Sequence, residues 1–211
     1  MKIAVISDIH DRMDKLNKTL EEISKCKIDT IICCGDIATK KTVMRLAQTN
    51  LHVFSCLGNA EREPDEIFYA QNEYKNLTVF RDLGEIKLAG KTIGFTHYPQ
   101  RAKDMAQSGA YDFVFYGHTH TPWIKMICHE QMRLSSQSIR HLEQDLESPH
   151  FQDRILNQFQ SPPSTRSGDD DNNRQCSLLL NPGEIASHFG RQSTFAIVDL
   201  ETGKTELKII V

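Results

Sequence analysis

No stretch of the 211 residues comes near the ~20 consecutive apolar residues that a helix needs to cross a bilayer. No charged leader, apolar h-region or cleavage site precedes the first apolar run, KIAVIS, which begins directly after Met1. Neither a membrane span nor secretion is expected, and the chain reads as cytoplasmic. An excess of charge is missing too: 25 Lys and Arg against 28 Asp and Glu leave a formal net charge of -3, which gives no field to hold long nucleic acid. The expected partner is small or local. Six cysteines are present without any C-x-x-C pair. Cys26, Cys33, Cys34, Cys56, Cys128 and Cys176 are read as buried free thiols, because a disulfide framework belongs to shorter, secreted chains.

What the sequence does have is a rhythm. Five short runs rich in Ile, Val and Phe, at residues 2–7, 30–34, 52–57, 92–96 and 111–116, are too short for helices and read as buried strands, several of them parallel. Helical stripes fall between them: Met13, Leu16, Leu20 and Ile23; Val43, Leu46 and Ala47; and Ala102, Met105 and Ala106, which stops at Gly109. Alternating strands and helices imply crossovers and a covered sheet. After Arg81 the style changes. EIKLAGKTIGFTH reads as a hairpin turning at Ala89 and Gly90, and WIKMIC, SLLLNPG, STFAIVDL and TELKIIV continue it. A second sheet with antiparallel edges is expected from this half.

Residues 129–175 break the pattern and read as an insertion into a domain made of residues 1–128 and 176–211. Its first part carries helically spaced Ile139, Leu142 and Leu146, then Ile155, Leu156 and Phe159, while SPPSTRSGDDDNNRQ is too polar to offset its ordering entropy and reads as disordered. Such a segment folds back on its own domain or serves a protein partner or self-association. WIKMIC leads away from FYGHTHTP and SLLLNPG leads back, so the insertion is expected to leave from the far end and not to act as a lid.

The chemistry sits where the runs stop. The first ends in Asp8 and His10, the second in Gly35 and Asp36, the third in Gly58 and Asn59, the fourth in His97, the fifth in Gly117, His118 and His120. In open α/β sheets, ligands bind beyond the carboxyl ends of the strands, so these seven side chains converge if the runs share a sheet arrangement. Residues two apart on a strand face the same way, which lets Asp8 act with His10 and His118 with His120. Each motif alone is weak: D-x-H is commonplace, Gly-Asp is an ordinary turn, and a single His is more often structural than ligating. Their joint occurrence at strand ends is not. A mixed nitrogen and oxygen set suits Mn, Ni, Fe, Zn or Co better than Ca or Mg. Seven ligands exceed one ion's need, whereas two ions about 3.5 to 4 Å apart with Asp36 between them would use all seven for displacement at phosphorus.

In order, SDIH, CCGDIA, CLGN, GFTH, FYGHTHTP and LNPGE resemble the motifs of the calcineurin-like metallophosphoesterases, and of their small prokaryotic-type phosphodiesterases in particular. The resemblance covers nearly the whole chain apart from the insertion. It implies an α/β fold of four layers, two mixed sheets face to face with helices outside. It implies two divalent cations, manganese foremost: Asp8, His10, Asp36 and His120 would hold one, and Asp36, Asn59, His97 and His118 the other. Asp36, Asn59 and His97 carry the catalytic role in this reading, with a metal-bridging hydroxide attacking a small or nucleotide-type phosphodiester. Three residues depart from the pattern. Ala60 stands where many members have a leaving-group histidine, Tyr98 replaces a common glycine, and Glu184 a common serine. Loss of a positioned acid costs about 10²- to 10⁴-fold on poor leaving groups, so aryl or cyclic diesters are the expected substrates. Arg12, Arg62, Glu61 and Glu63 are read as surface or loop charges. The rival reading is a protein-interaction scaffold of the same fold, as in a retromer subunit whose metal-site positions are altered.

Overall fold

A computed structural model describes residues 1–128 and 176–210. The expected helices and disorder of residues 129–175 lie outside the described residues. The layering follows from the period of two in the first run. β1 (Lys2–Ile6) turns Ala4 and Ile6 to a core shared with helices and Ile3 and Val5 to a core between two sheets. β2 (Thr30–Cys33) does the same with Ile31 and Ile32. Strands buried on both faces have no polar alternation to show, which is why these runs look uniformly apolar.

α1 (Met13–Ser24) and α2 (Lys40–Ala47) bury Leu16, Leu20 and Ile23, and Val43 and Leu46, against one face of the first sheet. β3 (His52–Cys56), α3 (Pro64–Tyr69) and β4 (Leu77–Phe80) complete that half. β4 and α3 belong to no motif singled out in the sequence: LTVF is four residues long, and PDEIFY puts only Ile67 in the core. β5 (Leu83–Leu88) and β6 (Lys91–Thr96) form the expected hairpin, with Ala89 and Gly90 both at positive φ, 50° and 75°. α4 (Pro99–Gln107) opens on a proline that presets its first turn and packs Ala102, Met105 and Ala106 on the second sheet. β7 (Phe113–Phe115), β8 (Trp123–Cys128), β9 (Cys176–Asn181), β10 (Ser193–Asp199) and β11 (Thr205–Ile210) follow.

Two sheets result, β11-β10-β1-β2-β3-β4 and β5-β6-β7-β9-β8. In the first, β1 to β4 are parallel and β10 and β11 antiparallel; in the second, β6, β7 and β9 are parallel with antiparallel edges β5 and β8. The expected α/β fold of two mixed sheets with helices outside is what forms. One expectation is corrected. STFAIVDL and TELKIIV join the first sheet beside β1 instead of extending the second, because β10 pairs Val198 with Ile3 and Ala196 with Val5 and so closes the inter-sheet core.

The cysteines hold a second correction. Cys26, Cys33, Cys34 and Cys56 are free, the last three buried, but Cys128 and Cys176 form a disulfide. The β8–β9 register sets these two residues opposite each other as the final pair, with Cα atoms 4.0 Å apart. Sequence spacing of 48 residues hid a direct cross-strand contact. The cross-link joins Cys128 to Cys176 at the opposite end of β8 from Trp123, which pairs with Asn181. Among the described residues no helix is long and apolar enough to cross a membrane.

Candidate metal centre

The seven residues picked out at the strand ends meet in one crevice, between the carboxyl ends of β1, β2 and β3 and those of β6 and β7. Asp8, His97 and Asp36 are buried, and His10 and His120 each keep 20% of their side-chain surface. The reason given for the two-residue spacings is wrong, however. β1 ends at Ile6 and β7 at Phe115, so Asp8, His10, His118 and His120 are not strand residues at all. Asp8, His10, Asp36, His118 and His120 instead take left-handed backbone, with φ of 56°, 48°, 53°, 69° and 58°. An L residue there is uncommon and costs on the order of 1–2 kcal/mol. Such strain gathers at functional sites, where surrounding contacts over-determine it.

Those contacts are on hand. Asp8 N donates to Gly35 O at 3.1 Å, and Ile9 N and His10 N both donate to Asp36 O at 2.9 Å, which ties the first two loops together. His118 N donates to both oxygens of Asp8 at 3.2 Å. Asn181 Nδ2 donates to Gly117 O and Thr119 Oγ1, each at 2.9 Å, and holds the GHTH loop from β9. Glu61, expected to be a plain loop charge, accepts backbone N–H groups from Ile37, Ala38 and Gly58 at 3.2, 2.6 and 2.9 Å, and Glu63 accepts from Lys40 N at 3.0 Å. The two corrections are alike in kind: the loops around Gly35 and Gly58 and the first turn of α2 leave amide groups without partners, and a nearby carboxylate takes them. Burial raises the Glu61 carboxyl pKa above its ordinary value, against the pull of these donors. Arg12 pairs with Asp14 but also donates from Nη1 to Ala186 O at 3.1 Å, so it ties two loops as well as carrying charge, whereas Arg62 lies 3.5 Å from Asp11 as a surface charge does.

Asp36 stands at the middle. Its Oδ2 lies 3.4 Å from His10 Nε2, and its Oδ1 lies 3.4 Å from His97 Nε2. Around Oδ2, the atoms of Asp8, His10, Asp36 and His120 that could bind a cation all lie within 4.8 Å of one another. Around Oδ1, His97 Nε2 and His118 Nδ1 are 3.0 and 2.8 Å from Asn59 Oδ1 and 3.2 Å from each other. His97 Nδ1 donates to Cys34 O at 2.9 Å, which leaves Nε2 as the nitrogen that faces the crevice.

Do these residues fit a cation? His10 Nε2 is buried, faces Asp8 and Asp36, and has no hydrogen-bond partner. A buried orphaned nitrogen is costly, and a cation at that point would satisfy it. Burial lowers the His10 pKa, against the pull of Asp36 and Asp8. His120 behaves oppositely: its hydrogen bonds to Asp8 and then to Glu184 push its pKa up to about 10. The field at this point attracts positive charge, and the donor set, imidazole with carboxylate, suits a divalent transition ion.

Two participants escaped the sequence reading. Glu184, noted only as a departure, is fully buried and takes His120 Nδ1 at 3.0 Å and His188 Nδ1 at 2.7 Å. Burial would raise its pKa, but those two hydrogen bonds more than offset it and the net shift is downward. His188 itself was not singled out. Its place four residues after Glu184, in the loop that follows a strand end, was the available signal.

The calcineurin-like phosphoesterase superfamily domain matches residues 1–139. Phosphodiesterase MJ0936 of Methanocaldococcus jannaschii is 28% identical over 122 residues, 57% of this chain and 74% of that protein. A solved archaeal phosphodiesterase superimposes with a TM-score of 0.69 at 21% identity over 99% of both chains. Vps29 from Chaetomium thermophilum has the same fold at a TM-score of 0.53 and 15% identity, covering 99% of this chain and 95% of that one. The residues gathered at the strand ends and these likenesses agree, and the chain belongs to the calcineurin-like phosphoesterase superfamily, a family of hydrolytic phosphoesterases.

Proposed function

We propose that this chain is a dinuclear metal-dependent phosphodiesterase acting on small or nucleotide-type phosphodiesters. The observation that carries the proposal is the division of Asp36, whose two oxygens face two different ligand groups. Asp8, His10 and His120 would complete the group at Oδ2, and Asn59, His97 and His118 the group at Oδ1. When bound, a pair of divalent cations supplies a nucleophile from water near neutral pH and neutralises charge that develops on the phosphoryl oxygens.

The chain's own residues do the rest. Asp36 puts negative charge between the two positions and is fixed by the Ala60 N–H at 2.8 Å from Oδ1. Position 60 thus helps through its backbone, and its methyl side chain has no proton to give a leaving group. Tyr98 stacks its ring edge-on against His97 with centroids 5.2 Å apart and is 37% exposed beside His118. It narrows the crevice where the substrate's departing group would lie. Diesters with good leaving groups, aryl or cyclic, are the substrates this arrangement favours.

The scaffold reading draws on likeness of fold alone, and the complete set of seven ligands favours hydrolysis. The test is Mn²⁺-dependent hydrolysis of bis(p-nitrophenyl) phosphate by the full chain and by Asp36→Asn. A fall in rate of at least about 10³-fold is expected for a variant that loses the shared charge. Equal rates for the two proteins, or no hydrolysis with any divalent cation, would overturn the proposal.

A further inference from the structure

Beside the ligands taken up by the proposed function lies a second, overlapping set. His10, His120 and His188 each offer a nitrogen within 4.8 Å of the other two. We propose that His188 is a third imidazole ligand on the outer flank of the Asp8–His10–Asp36–His120 cation position, oriented by Glu184 as a positioning residue, and that it shifts this position toward Zn²⁺, Ni²⁺ or Cu²⁺. The inference rests on the reading of that position as a cation site.

Side-chain contacts converge on it. Glu184 Oε2 receives Nδ1 of both His120 and His188, at 3.0 and 2.7 Å. A carboxylate bound to the far nitrogen is how a ligating histidine is commonly held and its tautomer fixed. Nδ1 is committed to Glu184 in both rings, and His120 Nε2 faces Asp8 Oδ1 at 3.2 Å. The rings of His120 and His188 stack at 20° with centroids 5.3 Å apart, and His10 meets His188 edge-on at 4.7 Å.

The backbone is built to put His188 there. Ser187 is left-handed, at φ 58° and ψ 48°, and starts a 3-10 turn over His188–Gly190. Glu184 Oε1 also accepts His188 N at 3.1 Å. The loop is tied to the first ligand loop by Ile185 N to Ser7 O at 3.1 Å and Ala186 N to Asp8 O at 3.0 Å. A strained, doubly anchored loop that delivers a histidine against two others is more than a charge partner for Glu184 requires; one backbone N–H and His120 already supply donors to that carboxylate.

The selectivity follows from ligand type. Two carboxylates and two imidazoles suit Mn²⁺ as well as Zn²⁺, whereas each added imidazole favours the later, softer ions. Loss of His188 should therefore weaken Zn²⁺ far more than Mn²⁺.

The test compares the full chain with His188→Ala and His188→Gln, the latter keeping an N–H donor for Glu184 without an imidazole. Dissociation constants for Zn²⁺ and Mn²⁺ are measured by chelator competition, and imidazole ligands are counted by Zn K-edge X-ray absorption. Circular dichroism checks folding. Expected are a rise in the Zn²⁺ dissociation constant of at least about tenfold in both variants, a smaller change for Mn²⁺, and one imidazole fewer around zinc. An unchanged imidazole count, or recovery of zinc affinity in His188→Gln alone, would reduce His188 to a partner of Glu184 and overturn the inference. Asp36→Asn measured alongside keeps the two readings apart: if it binds both metals like the parent protein, the cation site itself is wrong, and if it loses them while the His188 variants do not, only the role of His188 is.

Discussion

Replacing Gly58 with alanine tests the centre through a residue that binds nothing. Gly58 follows β3 and lies flat against Asp36. A methyl group added there would sit 2.6 Å from Asp36 N and 3.0 Å from Asp36 Cγ, and nearer still to Oδ1, whereas ordinary contact begins at 3.4 Å. The backbone of one ligand loop has to move by about 0.8 Å relative to the other, or the carboxylate has to swing away from its two neighbours. Overpacking of this kind costs about 1–3 kcal/mol of stability, and misplacement of a reacting group by ~1 Å costs on the order of 100-fold in rate. Gly58 N donates to Glu61 Oε1 at 2.9 Å, and alanine keeps that donor, so the effect is steric. The assay is Mn²⁺-dependent hydrolysis of bis(p-nitrophenyl) phosphate together with the number of ions bound per chain. Gly203→Ala is the control: it introduces alanine at φ +71° with nothing within 4 Å, so it should lower stability without touching hydrolysis. Gly58→Ala with parental rate and metal content would refute the assignment of Asp36 to the centre of the site.

Glu61→Ala should cost at least about 2 kcal/mol, and lower the melting temperature by roughly 4–8 °C, because the backbone N–H groups of Ile37, Ala38 and Gly58 lose their acceptor; an unchanged melting curve would contradict that role. Thiol titration of the native protein with Ellman's reagent at about pH 8 should report Cys26 alone. Burial raises the other three free thiols, Cys33 to about 12, so their reactive thiolate is scarce as well as hidden, and rapid labelling of any of them would contradict the core described above. Cys128→Ser should lower the denaturation midpoint under oxidising conditions and leave it unchanged under reduction. For a loop of 48 residues the chain-entropy limit is about 4 kcal/mol. Hydrolysis should survive, since the cross-link lies at the other end of the six-residue β8 from Trp123, about 17 Å along a strand.

Much of this was legible because apolar runs and polar punctuation are local. KIAVI, TIIC and HVFSC announce buried strands whatever surrounds them, and the residues just past them announce a crevice once the strands are taken as parallel. LTVF was passed over because its burial alternates over only four residues, which a short loop imitates. Sheet membership was misassigned for β10 and β11 because a run of Ile, Val and Phe carries no mark of which sheet it joins; that is settled by Ile3 and Val5, nearly the whole chain away. The Cys128–Cys176 bond was missed for the same reason. Glu61 and His188 were invisible in another sense. Nothing in EREPDE or EIASHF separates a charge in water from one that closes a loop, because that depends on which amides the loop leaves unpaired.

The left-handed residues explain why motif and geometry part company. A side chain at a strand end points along the pleat, to one face of its own sheet, yet Asp36 must reach toward His10 on one side and His97 on the other. Turning the backbone to positive φ at Asp8, His10, Asp36, His118 and His120 redirects the side chains that follow β1, β2 and β7, and brings them to the same crevice as Asn59 and His97, which follow β3 and β6. The conformations are unfavourable one by one. They persist because each loop's amides are spent on the next loop, Asp8 N on Gly35, His10 N on Asp36, Ala186 N on Asp8, so none can relax alone. That interdependence has a chemical consequence. The seven side chains are held by protein contacts on their own, so on the proposed reading a cation would meet a preorganised site and the field that favours a developing phosphoryl charge would be in place before substrate enters. The glycines among them, Gly35, Gly58 and Gly117, are there because any Cβ would meet a ligand or its support, and the spacing of the motifs is the sequence's record of that crowding.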